Sequence, residues 1–264
     1  MATPIPVIFI HGLWLHAASW EPWVKLFGEA GHAPLAPGWP GDPDTVEESR
    51  ANPESIADHG IEDVTEHYAK IINGLAVKPI LVGHAFGGMI AERLLGQDLA
   101  AAAVAIDAAQ AKGLPLPLPA LHSAFPVFKN PGIKHKAVSL TAEQFRHAFG
   151  DAVSEEESRE LYERWAIPAP GKVLCEAAAA GFDPQSPAEA AAVPEMRGPL
   201  LLITGGRDHA VPEQTTRAAL RRHCHPHAVT DVKNLPDRAH SLTIDGGWGM
   251  VANIALSWLR GQEL

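Results

Sequence analysis

The chain has 264 residues, 46% of them hydrophobic and 20% charged, enough apolar material for one large α/β domain with a well-buried core. A formal net charge of -10 without any basic run argues against a phosphate backbone as partner, so no nucleic acid is expected. Two cysteines offer no disulfide framework, Met1-Ala2-Thr3-Pro4 does not open a signal peptide, and no apolar run could cross a bilayer, so the expectation is a cytoplasmic chain with no membrane partner.

Ile5-Pro6-Val7-Ile8-Phe9-Ile10 is a continuous apolar run ending at His11-Gly12, the pattern of a strand covered on both faces in a parallel sheet. A weaker strand is expected from His32 to Ala36, closing in the turn-rich Pro37-Gly38-Trp39-Pro40-Gly41. A polar connection then runs from Asp42 to Gly60. Ile61, Val64, Tyr68, Ile71, Ile72 and Leu75 recur at helical spacing and predict a helix over 61–75. Lys78 to Gly83 predicts the next strand, Gly87 to Leu95 a helix, and Ala102 to Ile106 a small-residue strand ending at Asp107.

From 112 to 197 this rhythm breaks. Leu114-Pro115-Leu116-Pro117-Leu118-Pro119 cannot form a regular helix, because every second residue lacks an amide donor. Helices are expected at Thr141–Phe149 and Ser154–Trp165, each opened by a capping box (Thr141 with Gln144, Ser154 with Glu157), and near Lys172–Ala180. A helical insertion between two core strands reads as a lid over the carboxyl edge of the sheet, dividing the chain into a core of 1–111 and 198–264 and a lid of 112–197. Pro199 to Thr204 then predicts a strong strand running into Gly205-Gly206-Arg207-Asp208, Ala228 to Val232 a short one followed by the loop of His240, and Gly247 to Leu259 a closing helix. Strands alternating with helices imply parallel βαβ units, an α/β fold.

The chemistry gathers at strand ends. Gly83-His84-Ala85-Phe86-Gly87 has the form G-x-S-x-G of a nucleophile elbow, in which the central residue sits on a tight strand-to-helix turn and carries the attacking hydroxyl. Ala85 occupies that position and cannot attack. Gly83, Gly87 and Gly88 are the small residues a strained turn needs, whereas G-x-G-x-x-G spacing and a Walker lysine are both missing, so a phosphate loop does not fit.

The order of strand, His11-Gly12, elbow, Asp208 and His240 resembles the α/β-hydrolase fold along nearly the whole chain, with a mostly parallel sheet of about six strands flanked by helices. That resemblance implies a triad in the order 85, 208, 240: a nucleophile position at Ala85, Asp208 as the acid that orients the imidazole, and His240 as the base. It also implies an oxyanion hole from the amides of Leu13 and Phe86. Asp107, which also ends a strand, is the fallback acid.

Trp14, His84 and Trp165 are the candidate substrate contacts, while Trp20, Trp23 and Trp39 read as core. His223-Cys224-His225-Pro226-His227 is too compressed for a metal site and reads as a polar turn. No metal or organic cofactor is implied, and oligomeric state is left open.

The implied activity is acyl transfer on a small-molecule carboxylic ester or lactone. The chain with Ala85 would be a nucleophile-to-alanine form that binds substrate without turning it over. Two alternatives stay open: a naturally serine-free lyase or cyclase working through His240 and Asp208, and a ligand-binding protein. The segment from His11 to Trp20 resembles the opening loop of plant hydroxynitrile lyases and methylesterases, although those lyases keep a serine at the elbow. Cofactor-free haloperoxidase-type members share the same triad and are not separated from esterases by sequence.

Overall fold

Unbroken runs of Val, Ile, Leu and Phe are stable as strands only if both faces of their sheet are covered, and that is the arrangement these runs adopt. The computed structural model describes residues 4–109, 131–179 and 196–264. In chain order the elements are β1 (Pro6–Ile10), α1 (Glu21–Glu29), β2 (Ala33–Leu35), α2 (Val46–Ala51), α3 (Ile61–Asn73), β3 (Ile80–His84), α4 (Phe86–Gly96) and β4 (Ala102–Ile106). They continue with β5 (Ala137–Val138), α5 (Ala142–Ala148), α6 (Glu155–Trp165), β6 (Ala169–Pro170), α7 (Gly171–Ala179), β7 (Leu200–Gly205), α8 (Glu213–His223), β8 (Thr230–Leu235) and α9 (Trp248–Gly261).

Six strands form one sheet in the order β2-β1-β3-β4-β7-β8, and every ladder in it is parallel. Strand alternation divides the core. Ile8, Ile10, Leu81, Ala103, Ala105, Leu200 and Leu202 pack under α3, α4 and α8. Val7, Phe9, Ile80, Val82, Val104 and Ile203 face α1 and α9. Trp20 and Phe27 each bring a ring centroid to 5.1 Å from Phe9, so Trp20 and Trp23 belong to this second core. With all six strands parallel, the loops after β1, β3, β4, β7 and β8 open on one edge, where open α/β sheets carry their ligand sites.

The structure adds elements to the sequence reading. The polar connection 42–60 contains α2, whose N-cap Thr45 accepts the Glu48 amide at 3.1 Å. Helix α8 was not anticipated because the residues it buries are Thr215, Thr216, Ala219 and His223, which leave no apolar stripe to detect. Helix α1 buries only Trp23 and Phe27. The antiparallel pair β5–β6 is likewise new, and each of its strands is two residues long.

In the insertion, the Thr141 capping box closes in both directions, Gln144 N to Thr141 Oγ1 at 3.2 Å and Thr141 N to Gln144 Oε1 at 2.8 Å. Ser154 caps α6 through the Glu157 amide at 3.1 Å, but the Glu157 carboxylate reaches out to the Gly246 amide at 2.7 Å instead of back to its own cap. A tertiary bond has replaced a local one. The prolines from 115 to 119 lie outside the described residues. Among those described, no helix is long and apolar enough to cross a membrane.

The close approach of β1 to the β3–α4 turn is a tight steric condition at the sheet's carboxyl edge. A Cβ on Gly87 would stand 2.1 Å from the Ile10 carbonyl oxygen and 2.5 Å from that of His11. Gly87→Ala is therefore expected to lower the unfolding free energy by about 2–3 kcal/mol, the cost of overpacking a rigid contact. Gly249 on α9 has nothing within 4 Å of such a Cβ, and Gly249→Ala should be neutral or stabilising by up to about 1 kcal/mol. Urea unfolding of the two variants checks the contrast.

Candidate active site

Ala85 links β3 to α4 with φ 51° and ψ −117°, a backbone conformation that side chains other than glycine rarely adopt. Its amide donates to the Ile106 carbonyl at 2.9 Å, and its carbonyl accepts from Met89 and Ala109 at 3.2 and 2.9 Å. Glycines make room for the turn: a Cβ on Gly83 would lie 2.1 Å from the Gly87 carbonyl oxygen, and one on Gly88 would lie 2.8 Å from the Ala108 methyl. Holding a non-glycine residue in such a region costs on the order of 1–3 kcal/mol. An alanine carries that cost with no hydroxyl to aim.

The loop after β1 lies directly against this turn, since a Cβ on Gly12 would approach the Ala85 methyl to 2.9 Å. His11 is fixed from behind: its Nε2 donates to Asp42 Oδ2 at 3.0 Å, and its ring stacks on Trp39 at 5.3 Å. Trp39 in turn sends its indole N–H to the His11 carbonyl at 3.1 Å, so it braces this loop from the core side. Leu13 is buried and Trp14 turns the chain at φ 64°. Neither the Leu13 nor the Phe86 amide has an acceptor among the described residues. The Phe86 amide is free because it opens α4, where the first N–H groups of a helix have no partner within it.

Asp208 and His240 come together from the ends of β7 and β8. His240 Nδ1–H donates to Asp208 Oδ2 at 2.6 Å, with both side chains buried. Asp208 Oδ1 also accepts the amides of Ala210 and Val211, at 2.7 and 2.8 Å. The base loop is braced by Arg238 on Asp245, by Ser241 Oγ on Asp245 Oδ2 at 2.9 Å, and by the Trp23 indole on the Thr243 carbonyl at 2.9 Å.

His84 lies behind His240 and is only 1% exposed. Its Nε2–H donates to the His240 carbonyl at 3.0 Å, which leaves Nδ1 as a buried atom without a partner. Burial first, and then the neighbouring His240, hold the His84 imidazole well below its ordinary pKa. Asp107, at the end of β4, has φ 42° and accepts the Gly205 amide on Oδ1 at 2.8 Å. Burial and the charge of Asp208 push its carboxyl well above the usual range.

One donor atom each from His84, Asp107 and His240 lie within 4.8 Å of one another, a spacing that could enclose an ion. His84 Nε2 and His240 Nδ1 each direct a proton at a protein oxygen, which leaves His84 Nδ1 and His240 Nε2 as the unprotonated nitrogens of the group. The arrangement is a proton network. In the other histidine cluster, His223 Nε2 is engaged by Glu92 on the elbow helix at 2.7 Å, and Cys224 is an exposed free thiol.

The insertion closes over these loops and supplies a residue the sequence reading missed. Phe149 sets its ring centroid 4.9 Å from that of His240, and its carbonyl accepts the Ser241 amide at 3.1 Å. In the sequence it is one aromatic at a helix end, with nothing to separate it from core. Trp14 donates its indole N–H to the Val138 carbonyl at 2.9 Å. Trp165 is buried among Leu15, Phe145, Phe149 and Leu161, with Trp14 packed against the same cluster. Of the three expected substrate contacts, Trp14 and Trp165 thus lie on the apolar side formed with the insertion, and His84 lies beneath the base.

Residues 7–247 match the sequence model of the alpha/beta hydrolase family. The chain belongs to the α/β-hydrolase family. Solved structures of the same fold include a monoacylglycerol lipase from Paleococcus ferrophilus, at 21% identity and a TM-score of 0.67 over 98% of this chain and 96% of that one. A thermophilic esterase from Thermogutta terrifontis aligns with a TM-score of 0.68 at 18% identity, over 99% of this chain and 91% of its own. An extracellular alpha/beta-hydrolase from a Paenibacillus species gives 0.67 at 19%, over 96% and 98%. Comparison with curated protein sequences gives no match.

The buried neutral imidazole of this α/β-hydrolase makes stability depend on pH with a definite sign. The unfolded chain takes up a proton at His84 below about pH 6.5 and the native chain does not, so stability falls as pH drops through that value. His84→Gln keeps an N–H for the His240 carbonyl and removes the titration. Between pH 7.5 and pH 5, the variant should lose less unfolding free energy than the parent, the difference being at most about 2 kcal/mol. Urea titrations at the two pH values measure it.

Proposed function

We propose that this α/β-hydrolase site is organised for acyl transfer from a carboxylic ester or lactone, and that Ala85 leaves it able to bind such a substrate but not to turn it over. The observation carrying this reading is the buried 2.6 Å bond from His240 to Asp208 beside an elbow strained at φ 51° around a methyl group. Neither an oriented imidazole nor a costly turn serves an alanine, whereas both serve a hydroxyl at position 85. The named activities of the lipase and esterase with this fold support the same substrate class.

In the serine form, Oγ of residue 85 would attack the acyl carbon while His240 Nε2 takes its proton. Asp208 would hold the imidazole in the tautomer that leaves Nε2 free. The carbonyl oxygen, now negative, would accept the Leu13 and Phe86 amides, each worth a few kcal/mol of barrier in sites of this kind. His240 would return the proton to the departing alkoxide, and water would release the acyl group by the same steps in reverse. Residues 112–197 act as the lid in this reading, with Trp14 and Trp165 forming apolar substrate walls and His84 supporting the base. No step calls for a cofactor.

A second reading, proton transfer by His240 and Asp208 without a covalent intermediate, is favoured by one fact: the pair is intact in a chain whose position 85 has no hydroxyl.

Ala85→Ser should raise kcat/KM toward p-nitrophenyl esters or aryl lactones by at least about 10³-fold, and His240→Ala in that background should remove the gain. A serine variant that folds and stays inert across such a panel would defeat the acyl-transfer reading. Turnover by the chain as it stands, abolished in His240→Ala, would establish the second.

A further inference from the structure

Four buried titratable side chains meet at the carboxyl ends of β3, β4, β7 and β8: His84, Asp107, Asp208 and His240. Acyl transfer uses two of them, and Asp107 is not one.

The bonding of the two carboxyls is unequal. Asp208 accepts three N–H donors spread over both oxygens, from Ala210, Val211 and His240. Asp107 accepts the Gly205 amide on Oδ1, with the Thr204 hydroxyl beside the carboxyl, and among the described residues its buried Oδ2 has no hydrogen-bond partner. Both carboxyls gather at the His240 ring, Asp208 Oδ2 at 2.6 Å from Nδ1 and an Asp107 oxygen within 4.8 Å of a ring nitrogen, and both residues bond to Gly205, Asp107 through its carboxylate and Asp208 through its amide. Among the described residues no lysine or arginine pairs with either carboxyl, and His84 spends its N–H on the His240 carbonyl. Two adjacent buried carboxyls without a counter-ion share one proton, and it settles on the one with fewer donors. Burial and the charge of Asp208 act on Asp107 in that same direction.

We propose that Asp107 is a positioning residue of this site: a neutral carboxylic acid whose Oδ2–H bonds to Asp208 and steadies the carboxylate that holds His240 Nδ1. Asp208 is then gripped from the loops after β4, β7 and β8 together, and its charge is partly drawn toward Asp107. The inference rests on the reading of Asp208 and His240 as acid and base, but not on any turnover.

The test uses the chain with Ala85, labelled with carboxyl-¹³C aspartate, and Asp107→Asn to assign the resonance. The Asp107 carbon is expected to keep the shift of a protonated acid from about pH 5 to about pH 8, where an ordinary aspartate is ionised. Titration below about pH 5 would overturn the proposal. The low-field proton on His240 Nδ1 supplies a second readout. It should persist in Asp107→Asn, whose amide donates in place of the O–H, and shift or broaden in the isosteric Asp107→Leu. An unchanged resonance in a folded Asp107→Leu would also overturn the proposal, and if that variant does not fold, the carboxyl titration of the parent decides. Neither measurement needs hydrolysis, so an inert Ala85→Ser would count against acyl transfer while the Asp107 result stands by itself.

Discussion

The approach of the β3–α4 turn to β1, closer than any side chain at Gly87 would allow, is the constraint on which the site depends. It forces the backbone at position 85 into a left-handed bend, because strand and helix must change direction within one residue while both stay in contact with β1. The same closeness brings Gly12 against Ala85, so that the loop carrying Leu13 lies beside the opening turn of α4. It also turns His84 under the base loop, where its ring nitrogen holds the His240 carbonyl. Strain at the turn, the nearness of the loop after β1 and the placing of His84 under the His240 loop are thus consequences of one steric contact.

Around that point, described residues of the insertion are bonded to the loops after β1, β7 and β8. Leu15 bridges to Ala166 beside the strained turn at Trp14, Asp151 pairs with His209 next to Asp208 at 3.0 Å, and Phe149 lies on the ring of His240. Arg50 clamps the far end of α6, donating to the carbonyls of Tyr162, Glu163 and Ala166 at 2.8–2.9 Å. The Glu163 and Ala166 carbonyls are left over at the helix C-terminus while that of Tyr162 also accepts the Ala166 amide, and the guanidinium meets the negative end of the helix dipole. Displacing α6 would expose them and disturb the oxyanion loop in the same movement. Apolar contacts among Phe145, Phe149, Leu161 and Trp165 add the driving force that keeps the insertion seated.

Buried polar groups recur here in bonded sets: His11 with Asp42 and Trp39, Glu92 with His223 and Arg222, and the four-residue group around His240. Each joins segments distant in sequence, and each would be costly if one member were left unpaired. The Glu92 set ties the elbow helix to the end of α8 and stands apart from the catalytic edge, so its contribution is to hold α4 in place. The three-residue reach of a capping box gives way to the same demand at Glu157, whose carboxylate serves Gly246.

Much of this was readable from residue order. Apolar runs at 5–10, 78–83, 102–106 and 199–204 specify strands covered on two faces, because no other use of such runs keeps them from water. Glycines at 83, 87 and 88 specify a crowded turn, and the chain order of Ala85, Asp208 and His240 follows from motif and spacing. Helix α8 was hidden because the tertiary contacts of Thr215, Thr216 and His223, and not an apolar stripe, hold it down. Phe149 could not be assigned, and Asp107 only as a fallback acid, since an aromatic at a helix end and an acid at a strand end have little meaning until neighbours are known. The sequence by itself determined an α/β-hydrolase with alanine where the nucleophile belongs. Only the tertiary structure decided that Asp107 comes near the His240 ring, that His84 bonds the His240 carbonyl from beneath, and that Phe149 packs on that ring, because proximity between side chains from different strands is a property of the closed sheet and not of local pattern.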